Sequence, residues 1–249
     1  MIVGVSTDNF LSRPTPLSQD IADIHQLNVN AIELVPKMPM NFREGRVLKT
    51  NLEEFEYVAV HLPSPPISLK IPTINEITNY YQDAFQFSIE IGASLVLVRA
   101  DFLGCESPKD VVKILHLINE HATKSGLKIT LLNWFSQESQ CGTYEQVSEV
   151  INGVDNKLAI DLGHAYRGMD SKSVRLIGEQ KLRINAIRAS DTTTVFSDLL
   201  LGTGHVNYPT IMPLLMESGF LGPFFVTHKR DPSLESIRTS ISYLEYFEL

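Results

Sequence analysis

Short apolar runs recur along the chain, and each is followed by a polar stretch or by a stretch that contains glycine or proline. The runs are rich in Val, Ile and Leu and are shorter than an ordinary helix, which is typical of buried strands in a parallel sheet. Eight strands are predicted on this basis, at residues 2–5, 31–35, 57–62, 95–98, 128–132, 158–160, 184–189 and 224–226.

The segments between these strands favour helices. The clearest one starts at Pro108, carries Val111, Leu115 and Ile118 on one helical face and stops at Gly126. Proline at the first turn and glycine just past the end are typical helix boundaries. Further helices are predicted at residues 18–27, 74–91, 144–151, 171–179, 208–218 and 232–247.

Alternation of strand and helix over the whole chain predicts one (β/α)₈ TIM barrel domain that spans residues 1–249. A doubly wound open sheet is the alternative fold, but the first strand is not followed by the GxGxxG pattern that would favour it. In a barrel, the active site lies where the carboxyl ends of the strands meet their following loops. Polar residues at those ends are therefore the candidates for function.

Charge and composition narrow the class of ligand. The formal net charge of −8 disfavours binding to a nucleic acid, which normally needs a basic face. Neither a membrane span nor a secretory leader is recognisable, so a cytoplasmic protein without membrane contact is expected. Cys105 and Cys141 lack CxxC spacing and do not build a zinc site by themselves. A small molecule is the expected partner.

Asp161 and His164 form the most distinctive pair. The strand at 158–160 delivers Asp161 at its carboxyl end, and Gly163 is expected to let the backbone turn so that His164 points back beside the carboxylate. A carboxylate beside an imidazole suits metal binding or proton transfer.

Glu33 and His61 are two further catalytic candidates. Glu33 lies inside the second strand, and in a barrel whose outer face is covered by helices it would point inward; an outward position or a buried ion pair are the other interpretations. His61 lies near the end of the third strand, shortly before Pro63; a lone histidine is more often a structural hydrogen-bonding residue, but this strand-to-loop position favours a functional role.

Closure of the barrel would gather many polar side chains at one end. They are Asp8, Glu33, His61, Arg99, Asn133, Asp161, His164, Arg188, Asp191 and His228.

Several of these residues lie in segments that resemble the xylose-isomerase-like barrels, a superfamily of sugar and sugar-phosphate isomerases, epimerases and type IV apurinic endonucleases. The resemblance spans nearly the whole chain, and its most specific parts are the Asp161/His164 motif and the glycine loop that precedes a helix and Gly219. The segments are 31–34, 60–63, 131–133, 160–164, 187–191, 201–204 and 219–222.

The resemblance implies a metal site with a carboxylate from strand five, Asp and His from strand six, His from strand seven and a carboxylate from strand eight. This sequence has Leu132, Arg188 and Thr227 at three of those places. Two ligands hold a divalent ion weakly. The sequence thus predicts a degenerate metal site with no certain cofactor, and a zinc or manganese ion would have to be held by Asp161, His164 and His228.

Arg188 stands where the family holds a cation, so its guanidinium is expected to bind a carboxylate or phosphate of the ligand. The backbone amides of Gly202 and Gly204 are candidates for an added phosphate site, although these glycines are also compatible with a plain turn. Asp191 and Asn133 complete the predicted substrate-binding set.

The sequence is compatible with two functional hypotheses. The first is a sugar or sugar-phosphate isomerase or epimerase that transfers a proton next to a carbonyl, with His61 or Glu33 as base and with Asp161 and His164 as an acid/base pair. The second is a non-catalytic barrel that binds a small sugar-like or anionic ligand and has lost its metal chemistry. A DNA-repair nuclease is disfavoured by the acidic charge.

Overall fold

A computed structural model describes residues 1–36, 42–62, 73–99, 105–133, 140–230 and 233–248. Pro63, which the sequence places directly after the third strand, lies outside these residues, as does part of the following loop. Among the helices of the described ranges, none combines the length and the apolar character that crossing a membrane requires.

Eight parallel strands pair in chain order and close into a barrel, because β1 pairs with both β2 and β8. The predicted TIM barrel is confirmed, and the open sheet is excluded. Each predicted strand overlaps an observed one, with ends that differ by at most one residue. The strands are β1 (Ile2–Ser6), β2 (Ala31–Leu34), β3 (Tyr57–Leu62), β4 (Leu95–Arg99), β5 (Ile129–Leu132), β6 (Lys157–Asp161), β7 (Ile184–Ala189) and β8 (Pro223–Val226).

Helices follow the strands. In the described part of the chain they are α1 (Leu17–His25), α2 (Phe42–Leu52), α3 (Ile74–Glu90), α4 (Pro108–Lys124), α5 (Tyr144–Asn152), α6 (Leu162–Met169), α7 (Lys172–Gln180), α8 (Tyr208–Glu217) and α9 (Leu234–Glu245). In α4, Val111, Leu115 and Ile118 are buried as the pattern predicts, and Gly126 after it has a positive φ of 75°.

Two of these helices, α2 and α6, are not evident from the sequence. Each contains a glycine, Gly45 or Gly163, which weakens the local preference for helix. The missing Cβ leaves room for a neighbour in both cases. A Cβ on Gly45 would lie 3.2 Å from Cδ2 of Phe87, and one on Gly163 would collide with the hydroxyl of Ser190. Tertiary packing explains both glycines.

The interior of the barrel changes from apolar to polar along its axis. Side chains alternate along a strand, so inward positions are two residues apart. One inward layer is apolar and consists of Ala31, Ala59, Leu97, Leu132, Ala159, Ala186 and Phe225. Two residues further along four of these strands stand Glu33, His61, Asp161 and Arg188, all buried. The carboxyl end of the barrel therefore contains a layer of buried polar and charged side chains that is next to the apolar layer.

Candidate functional site

The fully buried Arg188 lies at the centre of the polar end of the barrel. Its Nε lies 3.0 Å from both carboxylate oxygens of Glu33. Its Nη1 donates to Asp161 at 2.8 Å, and its Nη2 donates to Asp8 at 2.7 Å. The Nη2 group also lies 3.3 Å from the hydroxyl of Thr227. We call Asp8, Glu33, Asp161 and Arg188 the Arg188 cluster.

Strand register explains how these four residues meet. Asp161 is opposite Arg188 in the pairing of β6 with β7. Glu33 is opposite Ser6 in the pairing of β1 with β2. Asp8 follows β1 in a short 3₁₀ helix, whose first turn is closed by the bond from the Asp8 N–H to the Ser6 hydroxyl at 3.1 Å. The cluster therefore joins residues that are up to 180 positions apart in sequence.

The electrostatics of the cluster keep Asp8, Glu33 and Arg188 ionised. Burial would raise the pKa of Asp8, but Arg188 and Lys229 outweigh it and lower that pKa to about 2. Burial would likewise raise the pKa of Glu33, but Arg188 and His61 hold it below its usual value. Burial would lower the pKa of Arg188, yet the three carboxylates raise it above its ordinary value. The cluster is an internal ion network.

Lys229 extends the network towards solvent. Its Nζ lies 3.0 Å from Oδ2 of Asp8, and its side chain is 37% exposed. The residue directly follows His228 after β8. The network contains three carboxylates and two cations, so its formal net charge is −1.

His61 contacts the network from β3. Its Nδ1 lies 3.4 Å from Oε1 of Glu33, and the side chain is 4% exposed. Burial lowers the pKa of His61 below its usual value and outweighs the opposing effect of Glu33, so the ring is neutral at pH 7. A neutral imidazole oriented by a carboxylate is suited to accept a proton.

Asp161 contacts His164 through the backbone. Its Oδ1 accepts from the backbone N–H of His164 at 3.0 Å and thereby caps α6. The helix begins directly after the strand, and Gly163 has no positive φ, so the chain turns at this point by entering α6 and not through a left-handed glycine. His164 is buried at the first turn of α6, and the carboxylate of Asp161 is divided between this cap and Arg188. The predicted acid/base pairing of the two side chains stays a prediction.

Asn133 positions Asp161 from the end of β5. Its Nδ2 donates to the carbonyl oxygen of Asp161 at 3.2 Å, and its Oδ1 accepts from the N–H of Asp161 at 2.7 Å. The amide thus uses both ends to hold a neighbouring backbone, whereas the sequence suggested a contact with substrate.

Asp191 occupies the donors of the glycine loop. Its Oδ2 accepts from the backbone N–H groups of Gly202 and Gly204 at 3.0 and 2.9 Å. Its Oδ1 accepts from Thr192 at 2.8 Å and from Val206 at 3.0 Å. The sequence suggested these amides as a phosphate site and Asp191 as a substrate ligand. That interpretation needs correction, because the carboxylate of Asp191 already fills the place that a phosphate would take.

The comparisons with known proteins agree with the fold. A family model described as "Xylose isomerase-like TIM barrel" matches residues 21–247. The chain belongs to this family. The resemblance seen in the sequence is thus confirmed.

Solved structures of the same fold include a D-tagatose 3-epimerase-like protein, with 21% identity and a TM-score of 0.81 over 100% of this chain and 97% of that one. An IolI protein with a binding zinc atom has 18% identity and a TM-score of 0.80 over 99% and 98% of the two chains. The 3-keto-D-glucoside 4-epimerase YcjR from E. coli has 13% identity and a TM-score of 0.75, with 99% of each chain covered. A search of curated proteins found no match. At these identities, the likeness establishes the architecture.

A divalent metal does not fit this xylose isomerase-like barrel at the position suggested by the sequence. Within the described ranges, no three His, Cys, Asp or Glu residues are arranged to hold a metal ion, so Asp161, His164 and His228 do not form the predicted set. His228 is fully buried, and its backbone N–H donates to Oδ1 of Asn9 at 2.6 Å. A metal ion does not fit beside Asp161 because its carboxylate already contacts the positively charged guanidinium of Arg188.

Two functional neighbours were not assigned a role from sequence. Asp8 was visible only as one of many polar residues near a strand end, and nothing in the sequence linked it to Arg188. Lys229 gave no signal except its place directly after His228. Thr227 was noted as a missing metal ligand, and its hydroxyl proves to lie beside the guanidinium.

Proposed function

We propose that this barrel is a sugar isomerase- or epimerase-like enzyme with a degenerate metal site, which transfers a proton next to the carbonyl of a small polyhydroxy substrate. The observation that carries the proposal is the contact between Glu33 and His61 at the active-site end of the barrel. The names of the solved structures with the same fold, among them D-tagatose 3-epimerase-like protein and L-ribulose 3-epimerase, support a sugar as the substrate class.

His61 is the proposed base. Its neutral imidazole takes the proton from the carbon next to the carbonyl, and the carboxylate of Glu33 stabilises the imidazolium that results. Glu33 is itself held by Arg188, so its role is to orient His61 and not to receive the proton. His164, at the first turn of α6, is the proposed second proton-transfer group.

Lys229 is the proposed anion-binding residue of the site, whereas the sequence alone suggested Arg188. The guanidinium of Arg188 is surrounded by three carboxylates of the chain itself. Lys229 is partly exposed beside Asp8 and is therefore the proposed contact for a developing oxyanion or for an acidic group of the substrate.

A non-catalytic sugar-binding barrel is the second candidate. It is favoured by the internal use of the carboxylates, since Arg188 engages three of them and the glycine loop engages Asp191. Such a barrel would bind the same ligands without exchanging their protons.

Deuterium exchange separates the two candidates. Purified protein is incubated in D₂O and EDTA with D-tagatose, D-allulose and L-ribulose, and incorporation at the carbon next to the carbonyl is followed by NMR. The proposal expects incorporation that falls at least about 100-fold in His61→Gln, the usual contribution of a positioned base. His116→Gln on the exposed face of α4 is the matched control and should retain full exchange. Binding of a sugar without any exchange would replace the proposal by the second candidate.

A further inference from the structure

The Arg188 cluster has the composition of a cation site that is already filled. Three carboxylates, one from the 3₁₀ helix after β1, one from β2 and one from β6, surround the guanidinium of Arg188. Its nitrogens lie 2.7–3.0 Å from their oxygens. We propose that Arg188 is the resident cation of this barrel, and that its guanidinium neutralises and orients Asp8, Glu33 and Asp161 in place of a metal ion.

Burial makes the carboxylates and the guanidinium interdependent. A charge transferred from water to the barrel interior is strongly destabilising unless opposite charges surround it. Arg188 and Glu33 are both fully buried, and Asp8 and Asp161 are nearly or fully so. Because Nε, Nη1 and Nη2 each contact a different carboxylate, the planar guanidinium also fixes the directions of all three.

The same geometry excludes a divalent ion at this point. Carboxylate oxygens approach magnesium, manganese or calcium to about 2.0–2.6 Å, and the guanidinium occupies the space between them. Its fixed charge would also repel the ion. The inference rests on the proposed function and deepens it, because it names the cation that stands where the family resemblance implies a metal. Its test measures ion uptake and stability, so it fails or succeeds independently of any sugar chemistry.

The first experiment uses the wild-type protein. Metal content is measured by mass spectrometry after purification, and the melting temperature is measured with EDTA and with millimolar Mn²⁺ or Zn²⁺. The proposal expects less than stoichiometric metal and the same melting temperature in all conditions. One tightly bound ion per chain, with a melting temperature that EDTA lowers and that same ion restores, would overturn it.

The second experiment empties the site. Arg188→Ala should have a lower melting temperature than wild type, and millimolar methylguanidinium should raise it by several degrees, because this cation can replace the missing guanidinium between the carboxylates. Arg183→Ala is the matched control, since Arg183 donates to the backbone carbonyls of Ile151, Val154 and Asn156. Its melting temperature should not respond to methylguanidinium. An Arg188→Ala protein that folds and does not respond to methylguanidinium would contradict the proposal.

A third comparison applies if Arg188→Ala does not fold. Arg188→Met is expressed alone and together with Asp8→Asn and Glu33→Gln, which remove two of the three anionic charges at nearly constant volume. The proposal expects the triple variant to give more folded protein and a higher melting temperature than Arg188→Met. Equal or lower stability of the triple variant would show that Arg188 does not act through the charge of these carboxylates.

Discussion

At the scale of single residues, the energetics of the site depend on whether each buried charge has a partner. Arg188 carries a positive charge into the barrel interior, where it contacts Asp8, Glu33 and Asp161. Replacing a whole buried ion cluster by apolar residues is often tolerated, whereas removing one partner is costly, because the remaining charges lose their compensation. The cluster is therefore expected to be sensitive to single substitutions.

Arg188→Met should lower the free energy of unfolding at pH 7 by about 3–5 kcal/mol, because the carboxylates stay buried without their cation. Arg188→Lys keeps the charge but loses the fork geometry, so the loss should be smaller. Urea denaturation at pH 7 measures both values. Arg175→Met, in an exposed i,i+4 pair with Glu179, is the control and should change stability far less, because solvent screens this pair. Equal losses in Arg188→Met and Arg175→Met would refute the expectation.

At the scale of elements, the start of α6 positions two of the site residues. The helix begins directly after β6, with Asp161 as its cap and His164 at its first turn. Because no loop separates β6 from α6, the start of α6 packs against Ser190, the residue directly after β7. Ser190 there lies against Gly163. The glycine is thus explained by packing between two neighbouring strand-to-helix connections.

Gly163→Ala should destabilise the protein by about 1–3 kcal/mol, because the added methyl group collides with the hydroxyl of Ser190. Combining it with Ser190→Ala removes the colliding oxygen and should recover part of the loss. Gly178→Ala in α7 is the matched control, since nothing lies within 4 Å of the added Cβ, and it should stabilise by about 0.5–1 kcal/mol. Thermal and urea unfolding are measured for these three variants and for Ser190→Ala alone. If the effects of Gly163→Ala and Ser190→Ala are additive in the double variant, the proposed collision is contradicted.

At the scale of the whole molecule, the ion network joins side chains from strands that are not adjacent in the barrel. Asp8 follows β1, and its partner Arg188 lies on β7, while the contact with Lys229 comes from the segment after β8. Closure of the barrel brings these strands together, and the network adds a cross-connection at the active-site end. The stability of the closed barrel should therefore depend on the ionisation of this network.

Acid should weaken the barrel through Asp8. Its pKa is lowered from 3.8 to about 2 in the folded state, so its contribution is fully present above pH 3.8 and is lost as the pH falls towards 2. The contribution is on the order of 2 kcal/mol. Asp8→Asn should consequently show a shallower loss of stability between pH 4 and pH 2 than wild type. Urea midpoints across this range give the two slopes, and parallel profiles would argue against a stabilising role for the charge of Asp8.

Local patterns along the chain are sufficient to predict the architecture, but the pairing of side chains within the site follows only from the folded barrel. Strand positions follow from local apolar runs, and alternation of strand and helix implies the barrel, so both can be predicted along the chain. The position of His61 near the end of its strand was also predicted, whereas an inward Glu33 was one of three interpretations, and its burial beside Arg188 became evident only from the structure.

Only the closed barrel shows which buried charges neutralise one another. Arg188 looked like an anchor for a ligand, and the Gly202–Gly204 amides looked like a phosphate site, because sequence reveals the donors but not the acceptors that reach them. Asp8 lies 180 positions from Arg188, and Asp191 lies 13 positions from Gly204. Contacts of this kind depend on strand register and loop path, and these place the guanidinium of Arg188 among the three carboxylates.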